Sequence, residues 1–228
     1  MTEQDELHLE RCRRYWTIAR EVTAAAAATV GRGVLEELAR GLGLLEGGEV
    51  VVEGDEELTV LFDHAIFDYR TQGATAVERS VAGRREGADE EAGRVLDALA
   101  RCRYALLEVR SVAPGAGVWV RDMLSGEDLL LMDPGLGQSS HVGLMLASHV
   151  LVFEEFAMTT GAVWPVSPGA WEMIQATLPG LVRGSLEQYG QMEPEVRGRV
   201  VTMMLRFCLA GAGQQDTAPP MAGDSGKD

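Results

Sequence analysis

Over the first hundred positions apolar residues recur every three and four places, whereas between residues 103 and 165 they crowd into short runs broken by Pro-Gly and Ser-Gly. The first pattern belongs to helices with one buried stripe and the second to strands in a tightly turned sheet. In the opening segment Leu9, Cys12, Trp16, Ala19, Thr23, Ala26 and Val30 fall on one face, and the alanine run 24–28 has the highest intrinsic helix propensity. Gly31 and Gly33 end or bend that helix, a short helix is expected over 34–41, and 50–52 reads as a brief strand. The span 55–69 predicts a helix with Leu58, Leu61, Phe62, Ala65 and Ile66 on one side. Thr75 followed three residues later by Glu78 has the form of a capping box. The span 89–101 predicts another helix, with Ala92, Val95, Leu96 and Leu99 as its stripe and acids in its first turn, where the helix dipole favours them.

The strand-like block starts with 104–112 and a reversal over 113–117, where Pro-Gly permits a tight turn. One hairpin is expected between 118–124 and 127–132 around Ser125-Gly126, and a second between 144–153 and 156–163 around Glu154-Glu155. Several of these strands are apolar on both faces, so helices or barrel closure must cover the outer side. Ser167 and Pro168 form a cap and first-turn pair for a helix starting near Trp171, which Pro179-Gly180 kinks or breaks. A last helix starts at Pro194, with Val196, Val200, Met203, Met204 and Phe207 as its stripe. From Gly211 onward the Gly, Gln, Pro, Ser and Asp content predicts a disordered tail. The expected fold class is α+β. It comprises an acidic helical region (1–101), a small antiparallel β-barrel-like unit (102–166), a C-terminal helical pair (167–210) and the tail (211–228).

Charge narrows the function classes. The formal net charge is −15, with 21 acidic against 11 basic residues in the first hundred positions. Such a chain does not neutralise phosphates or dock on anionic lipid, so neither a nucleic-acid nor a membrane partner is expected. Lysine occurs once, at Lys227, while arginine supplies the other basic residues, a bias that points to a GC-rich bacterial genome. Cys12, Cys102 and Cys208 are far apart and odd in number, against a disulfide framework or a thiolate zinc site. The polar, charged start has no signal-peptide core, and the longest apolar run, 142–153, is too short to span a bilayer, so a cytoplasmic protein is expected.

Three segments, FDYRTQGATAVER, DEEAGRVLDALARCRYALLEV and PGAGVWVRDMLSGEDLLLMD, resemble an uncharacterised bacterial group whose members often carry a SEC-C zinc motif. The matching positions are Phe67, Asp68, Tyr69 and Arg70, then Tyr104, Leu107, Glu108 and Val109, then Arg121, Asp122, Leu124, Gly126 and Glu127. The resemblance spans about residues 58–165 and implies a helical region running into a small β-domain, with no established reaction. The terminal GDSGKD lacks the cysteines of the SEC-C element, and Ser140-His141-Val142-Gly143 stands where the group tends to have a Pro-Gly-Asp turn. Metal binding by that route is absent.

Candidate chemistry is sparse. His64 and Asp68, four apart on a helix, share a face and are either an exposed ion pair or two ligands of a metal, whereas Asp63 and His64 are adjacent and diverge. His141 and His149, eight apart, point to one face if both are extended, with Glu154 or Glu155 as the available carboxylate. The acid clusters at 53–57 and 89–91 read as solvated helix starts, and the glycines of 134–137 as turns. Cys102 between Arg101 and Arg103 is either a thiol of lowered pKa or a buried one. If Val118 and Val120 face the core, Trp119 and Arg121 face outward together, an interface-like pair, unless a C-terminal helix covers the Trp.

The leading expectation is a non-enzymatic interaction or adaptor module with a protein partner and no cofactor, using Trp119, Arg121 and Arg70; homo-oligomerisation stays open. The alternative is a metal-dependent hydrolase-type enzyme using His64 and Asp68, or His149. An enzyme requires a concave site where His64 or His149 meets a further polar group. An adaptor requires the histidines apart and an exposed apolar patch near Trp119, Trp164 or Trp171.

Overall fold

Helix α1 (Glu3–Ala27) opens the chain and lays Leu9, Cys12, Tyr15, Ala19, Val22 and Ala26 against the rest of the molecule. Leu9, Cys12, Ala19 and Ala26 lie where expected, but Tyr15 and Val22 take the places expected of Trp16 and Thr23. Tyr15 is 2% exposed and Trp16 45%, because the ring of Tyr15 packs against Phe153 and Phe156 at 4.8 and 6.1 Å. Trp16 instead lies under the Arg20 guanidinium, 5.3 Å from the ring centroid. The computed structural model describes residues 3–178 and 192–212.

Four more helices precede the sheet: α2 (Arg32–Leu42), α3 (Asp55–Phe67), α4 (Ala76–Ala82) and α5 (Glu90–Ala100). The capping-box signal is realised, and a further side-chain cap joins it. Thr75 and Glu78 form the reciprocal capping box of α4, and the Asp89 side chain accepts from Ala92 N–H at the start of α5. Two short hairpins join the helices, β1 (Leu45–Glu46) with β2 (Glu49–Val50), and β3 (Arg70–Thr71) with β4 (Ala74–Thr75). The second turns through Gln72 (φ 55°) and Gly73 (φ 82°), the left-handed pair that a two-residue hairpin requires.

The β-block closes into a barrel. Strands β5 (Arg103–Ala113), β6 (Gly117–Asp122), β7 (Asp128–Leu131), β8 (Met145–Val152) and β9 (Ala157–Thr159) run in the order β8-β5-β6-β7-β9, and β9 returns to pair with β8. All pairings are antiparallel except β7 with β9. A bulge between Val109 and Ser111 lets β5 bend from β8 to β6. Helix α6 (Pro134–Ser139), capped by Asp133, sits between β7 and β8 where the glycines of 134–137 were expected to form only turns. It approaches so closely that a Cβ on Gly137 would lie 2.9 Å from the Gly117 nitrogen. This connectivity is that of the five-stranded Greek-key barrels known as OB-folds. A short strand β10 (Trp164–Pro165) extends the sheet beyond β8.

Helices α7 (Pro168–Thr177) and α8 (Pro194–Ala212) form the C-terminal pair. Ser167 caps α7, which begins at Pro168 itself rather than near Trp171. Helix α8 buries Val200 and Met204 as expected, with Val201, Leu205, Cys208 and Leu209 beside them, while Val196 is exposed and Met203 and Phe207 are only partly buried. The tail is expected from Gly211, but α8 runs through Ala212; the rest of it and the expected break at Pro179-Gly180 lie outside the described residues. The fold is mixed α and β, as the periodicity indicates.

Three apolar clusters hold it together. The barrel interior is filled by alternate residues such as Leu107, Val109, Val120, Leu131 and Val150. On the outside, α2, α3, α7 and α8 pack over Tyr104, Leu106 and Ala147, and α1, α4 and α5 pack over Leu151, Phe156 and Met158. His149 lies on β8 between Ala147 and Leu151, at the junction of the two helical layers. Among the described residues no helix is long and apolar enough to cross a membrane.

Candidate functional site

Helix α3 builds most of the site. Leu61 and Ala65 enter one helical layer and Ile66 the other, so the ridge carrying Asp63 and His64 is pressed onto the barrel between them. Asp63 and His64 diverge by about 100°, as neighbours on a helix do. They nevertheless belong to one network, because β8 and the residue after the helix complete the circuit. His149 Nδ1 contacts Asp63 Oδ2 at 2.5 Å. Its Nε2 lies 2.9 Å from Asp68 Oδ2 but outside hydrogen-bond geometry, an ion-pair contact only. The same Asp68 oxygen accepts from His64 Nδ1 at 2.8 Å, and His64 Nε2 meets Thr202 Oγ1 of α8 at 2.8 Å. The ring of His149 is stacked on Phe67 at 4.8 Å and met edge-on by Tyr104 at 5.1 Å.

Both rings are 1% exposed, so the pair His64–Asp68 is buried rather than a solvated surface contact. Asp68 follows the last turn of α3, where the helix dipole disfavours a carboxylate. Burial also works against its charge, but His149 and His64 outweigh both and hold Asp68 well below the usual carboxylate range. Burial likewise opposes a charge on His149, yet Asp68 and Asp63 together raise that ring from 6.5 to about 10. The interior therefore holds a charged imidazole between two carboxylates.

One side of the network opens outward. His64, Asp68 and Thr202 line a cleft of about 410 Å³ between α2, α3 and α8, with Tyr69, Glu37 and Arg199 among its walls. Tyr69 donates its hydroxyl to Glu37 at 2.7 Å. Gly41 and Gly198 admit the close approach: a Cβ on the first would meet Thr202 Cγ2, and on the second the Asp68 carbonyl oxygen, both at 3.1 Å.

The structure thus brings His64, Asp68 and His149 together. Their ring nitrogens and carboxylate oxygens face one another, and among the described residues no group of three or more His, Cys, Asp or Glu side chains is placed to hold a metal. His141 is exposed and lies before β8, so it does not share a face with His149. Neither Glu154 nor Glu155 is the carboxylate that His149 finds; Glu155 is paired with Arg11 at 2.6 Å. Cys102 is not activated. Burial first, then Asp63 and Asp68, push its thiol well above the ordinary value, outweighing Arg103.

The remaining sites lie elsewhere. Trp119 is 47% exposed on β6, uncovered by the C-terminal helices, and Arg121 beside it pairs with Asp128 at 2.9 Å. Arg70 is committed to its own hairpin, with its fork on Glu78 and on the Gly73 carbonyl. Among the described residues no hydrogen bond or ion pair joins it to Trp119 or Arg121. Trp164 is buried, its Nε1 donating to the Cys208 carbonyl, and Trp171 is partly buried against the first helical layer. Sequence reasoning missed Thr202, whose only signal is a lone hydroxyl inside the apolar run VVTMML.

A family model described as a family of unknown function (DUF7986) matches residues 16–174. This chain belongs to that family. The matched span takes in Asp63, His64, Asp68 and His149 and stops short of Thr202. No curated protein and no solved structure matches the chain.

Proposed function

We propose that this DUF7986 member is a hydrolytic enzyme in which His64 is the general base and Asp68 holds its ring. The cleft between α2, α3 and α8 admits the substrate. The observation that carries this reading is the line Asp68 Oδ2–His64–Thr202 Oγ1, with 2.8 Å at each contact, ending on the floor of the cleft. A general base must lie within hydrogen-bond reach of the proton it takes and be oriented by a third group. An adaptor is expected to have scattered histidines; here His64 and His149 meet at Asp68, which favours the enzyme. The atoms that a metal would need are engaged with one another, and the arrangement suits proton transfer. Turnover of a panel of esters, amides and phosphoesters by the intact chain and by His64→Gln tests it. A general base contributes about 100-fold or more, and His64→Gln is expected to lose that factor.

A second reading, an interaction module with a protein partner, is favoured by one observation, the exposed Trp119 beside Arg121 on the barrel surface. It predicts a defined partner retained by the wild type and lost on Trp119→Ala with the fold intact; equal retention by both sinks it. A bacterial, cytoplasmic setting and kinship with the SEC-C-bearing group belong to the proposal as well. Their support is the arginine bias, the acidic composition and the FDYR and YALLEV segments.

A further inference from the structure

We infer that Thr202 is the nucleophile of this site and that its substrate is a neutral carboxylic ester. The inference rests on the reading of His64 as general base and goes beyond it by naming the atom attacked and the atom attacking. The Thr202 hydroxyl is a cleft-lining group within 2.8 Å of His64 Nε2, and that ring is held from its other nitrogen by the ionised Asp68. Nucleophile, base and orienting carboxylate in hydrogen-bonded sequence define the triad arrangement, whichever folds or chain orders supply it. The hydroxyl proton has two acceptors, the Gly198 carbonyl at 2.9 Å in the helix and His64 Nε2 at 2.8 Å, so a turn of the O–H about the Cβ–Oγ1 bond delivers it to the base. The other cleft hydroxyl, that of Tyr69, is engaged with Glu37.

The walls select the substrate. Glu37 and Glu195 stand against Arg199, while Arg70 is already paired with Glu78 and Asp68 with His149, so the cleft has no surplus of cations to hold a phosphoester or another anion. Arg199, one turn before Thr202 on α8, is exposed and has no ion pair among the described residues. It is the cation available to a developing oxyanion. Among neutral acyl compounds an ester has the better leaving group, so it is the one this secondary hydroxyl attacks most readily.

In the first step a lone pair on Thr202 Oγ1 forms a bond to the carbonyl carbon, and the carbonyl π pair moves onto oxygen. The hydroxyl proton passes to His64 Nε2, leaving an imidazolium against Asp68. Collapse breaks the ester C–O bond; the departing alkoxide takes the proton from His64 and leaves as alcohol, with the acyl group on Thr202. Water then attacks that acyl carbon and gives its proton to His64, which returns it to Thr202 Oγ1 as the acid is released. Ester and water become acid and alcohol, with no change of oxidation state.

The test uses p-nitrophenyl acetate with the full chain, following p-nitrophenolate release and the intact mass, then mapping the acetyl group by peptide. Background is low because Lys227 is the single lysine. The expected result is one acetyl group on the peptide holding Thr202 in the wild type and in Thr202→Ser, absent from Thr202→Val. Hydrolysis that survives Thr202→Val but is lost by His64→Gln overturns the nucleophile while leaving His64 as a base acting directly on water. Absence of both hydrolysis and acetylation in the wild type overturns the nucleophile and the ester substrate, and turnover of the amides and phosphoesters of the panel then decides the general base.

Discussion

At the scale of single residues the informative group is His149. A buried imidazolium is costly unless paired, and the contacts to Asp63 and Asp68 provide the pairing. Removing one member of a buried charged set leaves the others uncompensated, so Asp63→Ala should cost about 3–5 kcal/mol. The pH dependence has a definite sign. The His149 pKa is raised from 6.5 to about 10, so its contribution is complete below 6.5 and is lost as pH rises toward 10. The Asp68 pKa is lowered, so its contribution is present above the ordinary carboxylate value and is lost only as pH falls below it. The urea midpoint should therefore be highest between about pH 4 and 6.5 and fall on the alkaline side. His149→Phe should flatten that alkaline fall. A wild-type midpoint constant from pH 6 to 10 would show that the ring is uncharged in the folded chain.

Secondary elements were largely legible in the sequence, and their rotation was not. The capping box at Thr75, the acidic first turn of the helix over 89–101, the turn at Ser125-Gly126 and the hairpin around Glu154-Glu155 are local signals, and each appears where the chain chemistry places it. The stripe of α1 was misread because two three-and-four series run through the same residues, one with Trp16 and Thr23, the other with Tyr15 and Val22. Propensity does not separate them. What decides is the aromatic cluster of Phe153 and Phe156, more than a hundred residues away. Tyr15→Ala should cost about 3–5 kcal/mol, as truncation of a buried aromatic does, while Trp16→Ala should stay within about 1 kcal/mol. Equal losses in chemical denaturation would mean that α1 is rotated from the position described.

For the whole molecule, the barrel is a platform that brings distant chemistry together. A line of hydrogen bonds and one ion-pair contact, that of His149 with Asp68, crosses from β8 through α3 to α8, joining Asp63, His149, Asp68, His64 and Thr202. The spacing of His64 and Asp68 was readable, since one helix carries both. The roles of His149 and Thr202 were not, because their partners lie 86 and 138 residues away and neither has a local motif. The net charge of −15 fits the choice of substrate, since an acidic molecule with an acid-rimmed cleft gathers neutral compounds more readily than anions. The most direct measurement is the initial rate of ester hydrolysis by the intact chain beside His64→Gln at matched folding. The account predicts turnover by the wild type and a loss of about 100-fold or more in the variant. Equal rates, or no turnover by the wild type across the panel, would contradict it and leave the buried network as a structural clasp between barrel and helices.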